Sequence, residues 1–420
     1  MQTNEFEYDA KVGQIYKIWI VNVLLSIITL GIYRFWGKTR VRRYLTSCFS
    51  LNKDRFEYTG YGGELFWGFV KALILMLIVS IPFFWSAYKV QVFTAEAEAT
   101  LNQSQKQTPD EIPSIDQNPK PLAEQVPSVD NATSLTDIAN QVSGEMNESA
   151  EMPDDVKVFF SVYFIYLFFF FAFLPFVAKF QALRYRAARL QWRGIRAHLN
   201  GSALWYGFMG FLHVGLMVFT AFLWKPFADL LLLRYKMKRI QFGDQTGQLN
   251  GLPYFNLFLV YLGLGFLFIM SLIVMGVIGY FSLGGISPEQ LAQMQNQPIV
   301  VVIAFVIYVG FLLYAFFIHC IYKAAINRAL YNHLTLGDIR FQTSMTGKQL
   351  FGFYFVNLLI LICTLGLGYP FIMHRKQKFF QRHVKVIGDL ENTNISQASG
   401  KKYKTGEGLF AFLDLRISLF

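Results

Sequence analysis

Four stretches of this chain, 65–88, 158–178, 254–281 and 299–319, stay apolar for about twenty residues or more. A hydrocarbon core about 30 Å thick is crossed by roughly 20 helical residues rising 1.5 Å each. A water-soluble core has no use for runs of that length. Each of the four therefore reads as a membrane-crossing helix. Three further stretches, 15–36, 203–233 and 349–373, are also apolar but are interrupted by polar residues, Gly or Pro. The fold expected is an all-α polytopic membrane protein with about seven hydrophobic helical segments. The composition agrees: 54% of residues are hydrophobic and 15% charged, where an ordinary soluble domain carries roughly 25% charged residues.

Charge is distributed unevenly. The net charge is +11, but residues 91–156 hold thirteen acidic and two basic residues, a net of −11, so the rest of the chain carries +22. The acidic stretch is punctuated by Pro and filled with Ser, Gln and Asn, a composition that cannot bury enough apolar surface to fold alone. It reads as a disordered extracytoplasmic linker between a first membrane region, 1–90, and a second, 157–408, with an interfacial segment at 409–420. The cations follow the apolar stretches in clusters: Lys38 to Arg43, Arg184 to Arg196, Arg234 to Arg239, Lys323 to Arg340, and Arg375 to Arg382. Anionic lipid headgroups fit such clusters better than nucleic acid does. The residues expected to face headgroups are Arg40, Arg43, Arg186, Arg189, Lys236, Arg239, Lys323, Arg328, Arg375 and Lys378.

Internal likeness groups the segments. A shift of 335 residues lays the C-terminal region on the N-terminal one without a gap: Asn22 on Asn357, Thr29-Leu30-Gly31 on Thr364-Leu365-Gly366, Arg40 on Arg375. A shift of 144 relates a middle copy, where His213, Thr220 and Pro226 meet Asn357, Thr364 and Pro370. Between these copies lie the two crossing pairs. If all seven stretches crossed, basic segments would fall on both faces of the membrane. If only the two pairs cross and the three related stretches re-enter as hairpins, every basic segment is cytoplasmic. The hairpin arrangement is therefore expected, with helix breaks at Gly31, Pro226, Gly366 and Pro370. Short polar pieces after the basic clusters, such as 54–60 and 337–343, have strand character.

Several of these residues resemble a known family. Gly31 with Phe35 to Arg40 (FWGKTR), Arg43-Tyr44, Asp54 to Gly60 (DRFEYTG), Glu64 to Phe66, and Gly406 to Leu409 are similar to the YjgN-like family. The resemblance spans nearly the whole chain outside the linker. It implies a bacterial inner-membrane location and supplies no activity, substrate or catalytic residue.

Six polar residues are expected at membrane depth: Asn22, Thr29, His213, Thr220, Asn357 and Thr364. Such residues either mark a pathway or make interhelical hydrogen bonds that hold hairpins together. Lys179 and Lys225 read as snorkelling cations, and Asp229 as a local partner of Lys225. Cys48, Cys320 and Cys363 form no paired motif, and no His-x-x-x-His, phosphate loop or nucleophile motif occurs. No cofactor, metal or enzymatic activity is expected. The function expected is transport or binding of a small solute or lipid. The alternative is a non-catalytic envelope scaffold whose acidic linker contacts a protein partner.

Overall fold

The structure, a computed structural model, describes residues 3–106, 154–283 and 298–389. Within them the chain runs strand, helix, helix, strand five times. The first set is β1 (Thr3–Tyr8), α1 (Val12–Ile28), α2 (Arg34–Ser47) and β2 (Phe49–Leu51). The second is β3 (Asp54–Tyr58), α3 (Gly62–Lys106), α4 (Asp154–Arg189) and β4 (Leu190–Trp192). The third is β5 (Ile195–Leu199), α5 (Ala203–Phe219), α6 (Lys225–Met237) and β6 (Ile240–Phe242). The fourth is β7 (Gln245–Leu249), α7 (Tyr254–Leu283), α8 (Pro298–Tyr331) and β8 (Leu334–Leu336). The fifth is β9 (Ile339–Thr343), α9 (Gly347–Cys363), α10 (Tyr369–His383) and β10 (Val384–Ile387).

These strands close into one antiparallel barrel in the order β1-β10-β9-β8-β7-β6-β5-β4-β3-β2. The all-α expectation is overturned by it. Strands of three to six residues are too short to display a period of two in sequence. Their partners also lie far away: Thr3 pairs with Ile387. The pieces with strand character at 54–60 and 337–343 contain β3 and β9. Consecutive sets are joined by two-residue turns of positive φ, Asn52-Lys53 (51° and 66°) and Arg193-Gly194 (51° and 74°), whose twist suits a hairpin.

The barrel is filled. Phe6, Phe49, Leu51, Trp192, Ile339, Val384 and Val386 are buried together, with Phe56, Phe242, Leu336 and Phe341 packed against them. Phe56 stacks on Trp192 at 6.1 Å between centroids, and Trp192 meets Phe242 at 6.0 Å. A fully buried ring contributes about 1.5–3 kcal/mol by leaving water, and the half-buried Phe56 and Phe242 contribute less. The alternate residues Glu5, Glu7, Arg55, Glu57 and Lys385 point outward and are exposed. A transmembrane barrel needs strands of about 9–11 residues and an apolar outer band, and this barrel has neither.

Because the strands are antiparallel and hairpin-linked, all five helix pairs leave the barrel from the same end. Four helices are long and apolar enough to cross a membrane: Gly62–Glu96, Lys157–Arg189, Tyr254–Tyr280 and Val301–Tyr331. The other pairs are shorter. α1, α5 and α9 have 17 residues each, about 25 Å of helix. Each then turns into α2, α6 or α10, which returns to the barrel. Local signals start these helices: Ser202 caps α5 by accepting from the Trp205 amide, and Thr346 with Gln349 forms a reciprocal capping box on α9.

The chain divides into two compact units, Met1–Leu73 with Phe171–Phe420, and Ile74–Phe170. The first contains the barrel, all of α1, α2 and α5 to α10, and residues 62–73 of α3 and 171–189 of α4. The second is a two-helix piece with an aromatic seam: Trp85 meets Phe159 edge-on at 5.0 Å, and Phe159 stacks on Tyr163 at 6.2 Å. α3 continues to Lys106 through good helix formers, so it covers the first part of the expected 91–156 linker. Residues 107–153 of that linker and the expected interfacial segment 409–420 lie outside the described residues.

Candidate functional site

The three hairpin turns are built alike. Thr29 Oγ1 donates to Leu25 O at 2.7 Å and accepts from the Tyr33 amide at 2.9 Å. Thr220 does the same with Leu216 and Trp224 (2.7 and 3.1 Å), and Thr364 with Ile360 and Gly368 (2.6 and 2.7 Å). Each hydroxyl closes one helix and opens the next. Gly31 and Gly366 both sit at φ +88°, where glycine carries no penalty. The corresponding residue of the middle turn is Phe222 at φ +66°, at a cost of about 1–2 kcal/mol. Pro226 and Pro370 lie in the first turn of α6 and α10, where a missing N–H costs nothing.

Asn22, His213 and Asn357 are buried, 7%, 6% and 8% exposed. Asn22 Nδ2 donates to Gly37 O at 3.2 Å, and a Cβ on Gly37 would stand 3.1 Å from the Asn22 side chain. His213 Nδ1 accepts from Trp224 Nε1 at 3.1 Å. Both bonds tie the first helix of a hairpin to its own second helix. Asn22 Oδ1, His213 Nε2 and Asn357 Oδ1 meet no protein partner among the described residues.

The basic residues separate into two populations. One binds protein. Arg43 donates to Gly60 O at 3.1 Å and Arg328 to Met345 O at 2.8 Å, and Arg184 donates to Gly201 O. Each reaches 17 residues forward, from a helix that enters the barrel to the loop that leaves it. Arg189 pairs with Glu64, which also accepts from the Tyr185 hydroxyl at 2.7 Å. Arg239 lies over the Tyr235 ring at 3.7 Å, and Arg40 donates to the Tyr33 hydroxyl at 3.0 Å. Arg375 lines a shallow groove of about 420 Å³ with Gln349, Phe353, Phe379, Arg382 and His383, and Lys378 is exposed.

The second population converges. On α6, Lys225, Asp229 and Lys236 are spaced four and seven residues apart and share a face. Asp229 accepts from Lys225 Nζ at 3.2 Å and from the Tyr322 hydroxyl of α8 at 2.9 Å. Lys236 lies close enough to Lys179 of α4 and Lys323 of α8 for their charges to repel. Lys376 of α10 likewise faces Arg186 of α4 and Arg42 of α2. Lys236 is pushed down from the ordinary 10.5 to about 7, first by burial and then by Lys179 and Lys323, with Asp229 opposing. Burial and then Arg186 and Arg42 bring Lys376 down to about 8. α4 and α8 belong to the second and fourth sets around the barrel, and α10, α4 and α2 to the fifth, second and first. In both groups the sets are neighbours around the closed barrel, since β10 pairs with β1 and α6 belongs to the third set. Sequence reading put Lys236, Lys323 and Arg186 at headgroups and took Lys179 as snorkelling. The one local sign of a shared face was the seven-residue spacing of Lys179 and Arg186 on α4. Among the described residues no three His, Cys, Asp or Glu side chains gather as a metal site would require.

No solved structure matches this chain. Among curated proteins it is 37% identical over 71 residues to inner membrane protein YjgN of Salmonella typhimurium, covering 17% of this chain and 18% of that protein. It is 33% identical over 86 residues to the same-named protein of Escherichia coli O157:H7 (19% and 22% covered), and 39% identical over 64 residues to that of Escherichia coli K12 (15% and 16%). The chain thus spans about a fifth of the curated relatives it matches. Those names and the four long apolar helices identify a multi-pass protein of the bacterial inner membrane. The family described as bacterial protein of unknown function (DUF898) matches residues 3–412, and the chain belongs to it.

Proposed function

We propose that this inner-membrane protein binds or passes a small solute or lipid among its helices, without catalysing a reaction. One observation carries the reading: the Lys225–Asp229–Tyr322 network, where the α5/α6 hairpin meets the long apolar helix α8. Ionisable groups on membrane helices are costly, turn toward the protein interior and mark pathways. The hairpin residues Asn22 and His213 have the simpler task of clasping their hairpins.

The proposed topology puts the barrel in the cytoplasm. Its charged outer face favours water, and the basic clusters sit at the barrel ends of the helices. The α1/α2, α5/α6 and α9/α10 pairs would then dip into the membrane and return. The strand–helix–helix–strand set is proposed as an internal repeat, supported by the matching threonine turns and the arginine bonds of equal span.

The test is a proteoliposome flux screen over ionic and neutral solutes and fluorescent lipids, comparing wild type with Asp229→Asn. The reading expects flux for at least one class and its loss in the variant. Equal fluxes in wild type, variant and empty vesicles would end it. Cysteines at Asp244 and Asp338, on barrel turns, should label only from the cytoplasmic face.

A further inference from the structure

Between α9 and α10 lies the groove of about 420 Å³ lined by Gln349, Phe353, Arg375, Phe379, Arg382 and His383. That volume falls within the roughly 300–1,000 Å³ of small-ligand sites. The lining residues recur at helical spacing, Gln349 and Phe353 on α9 and Arg375, Phe379 and Arg382 on α10, so each helix contributes one face. The aromatic side of the groove is held in place. Phe353 stacks on Phe379 at 4.5 Å between centroids, and Phe379 meets the His383 ring at 4.2 Å. His383 Nδ1 donates to Phe379 O at 2.8 Å, and Phe379 also packs against the buried Cys320, Ala324, Met345 and Leu350.

The polar side is rich in donors. Gln349 Oε1 accepts from the Thr346 amide at 2.9 Å, which leaves the side-chain nitrogen to give. Arg375 and Arg382 make no hydrogen bond or ion pair with protein among the described residues. No acidic residue lines the groove. The first hairpin shows the same face closed by protein. At the shift of 335 residues Arg375 matches Arg40, which donates to the Tyr33 hydroxyl at 3.0 Å. Gly368 stands where Tyr33 would supply that hydroxyl, and Arg382 stands where the first hairpin has Ser47. The α9/α10 hairpin thus has one more arginine on this face and lacks the partner that would occupy the other.

Apolar surface continues both faces away from the barrel. Val356 follows Phe353 on α9, Phe371 precedes Arg375 on α10, and both are exposed. The hairpin turn beyond them exposes Leu365 and Leu367. A ligand matched to this surface is acidic at the barrel end and apolar toward the turn. A phosphate diester suits the two arginines, since its oxygens accept bidentate guanidinium bonds. A free anion in so shallow a groove would keep most of its water, whereas a phospholipid brings chains that cover Val356 and Phe371.

We propose that the groove between α9 and α10 holds the headgroup of an anionic phospholipid, with Arg375 and Arg382 on its phosphate and its chains running along α9 toward the hairpin turn. Such a site requires this hairpin to dip into the cytoplasmic leaflet, as in the topology proposed above.

Full-length protein is reconstituted in nanodiscs of phosphatidylcholine mixed with phosphatidylglycerol. Lipids retained after extraction into detergent are counted by native mass spectrometry. Wild type should retain phosphatidylglycerol well above its share of the disc. Arg375→Gln combined with Arg382→Gln should weaken that preference by about thirtyfold, and Arg382→Gln alone by about fivefold, the scale of two cations or one at an anionic surface. Arg340→Gln combined with Lys348→Gln removes equal charge outside the groove and should leave it unchanged. Where the double groove variant does not elute as folded, the exposed Arg382 decides alone. No preference in wild type, or a folded groove variant with the preference of wild type, overturns the proposal. Glycerol phosphate titrated into protein in phosphatidylcholine nanodiscs should give no calorimetric heat of binding. Heat that the groove variant abolishes would reassign the groove to a free anion and overturn the headgroup. Phosphatidylglycerol preference without flux of any solute would leave this groove standing and remove transport. Flux that Asp229→Asn abolishes, with no lipid preference, would do the reverse.

Discussion

Arg184 and Lys179 share α4, and Arg328 and Lys323 share α8, each pair five residues apart. In both pairs the arginine binds a carbonyl group while the lysine binds no protein group among the described residues. Arg43, Arg184 and Arg328 each hold the loop that begins the next helix pair. Their charge is used locally, in bonds worth about 1.5–3 kcal/mol each. Lys179, Lys236, Lys323 and Lys376 have no such bonds among the described residues and repel their neighbours. The difference teaches that a cationic cluster in a membrane protein is not one population. These arginines stitch the framework, while these lysines make no hydrogen bond to it among the described residues.

The comparison breaks most sharply at Arg328. Arg328→Ala should destabilise the detergent-solubilised protein by about 2–3 kcal/mol, because the Met345 carbonyl loses a charge-assisted donor. Chemical unfolding measures this, and an unchanged midpoint would return Arg328 to the headgroups. Lys236→Met should act in the other direction, leaving stability unchanged or raising it by about 1 kcal/mol, as when a buried charge gives way to an apolar group. A large loss would merge the two populations.

A pH series sharpens the same contrast. Lys236 titrates near 7 when folded and near 10.5 when unfolded. Between those values the unfolded chain binds the extra proton, so the stability of the protein should rise with pH through that window. The groups around it are Lys179 on α4, Lys323 on α8 and Asp229 on α6. Lys236→Met should flatten the rise, and a slope kept in full would locate it elsewhere. The smallest effect is expected at Asn22. Asn22→Ala should cost about 1 kcal/mol by removing the bond to Gly37, with no change in proteoliposome flux. A loss of flux in a stably folded variant would make Asn22 part of the pathway instead of a hairpin clasp.

Much of the helical framework was legible. The four long helices follow from apolar length alone. The return of α1, α5 and α9 was foreshadowed by Thr29, Thr220 and Thr364, whose hydroxyls pin the turns. The barrel was not legible. β2, β4, β6 and β8 have three residues each, and closure depends on β1 meeting β10 across almost the whole chain. Of the binding cluster, the Lys225–Asp229 pair was visible at its four-residue spacing. Tyr322, 93 residues from Asp229, was not.

Sequence by itself determined which segments are too greasy for water, where their ends lie and which turns repeat, because hydrophobic length, capping hydroxyls and glycines act on nearby chain. Tertiary structure alone decided that ten short strands close into one barrel and that Tyr322 of α8 meets Asp229 of α6. Strand pairing and contacts between helices of different sets are relations between distant residues, and a linear pattern does not encode which distant residues come together.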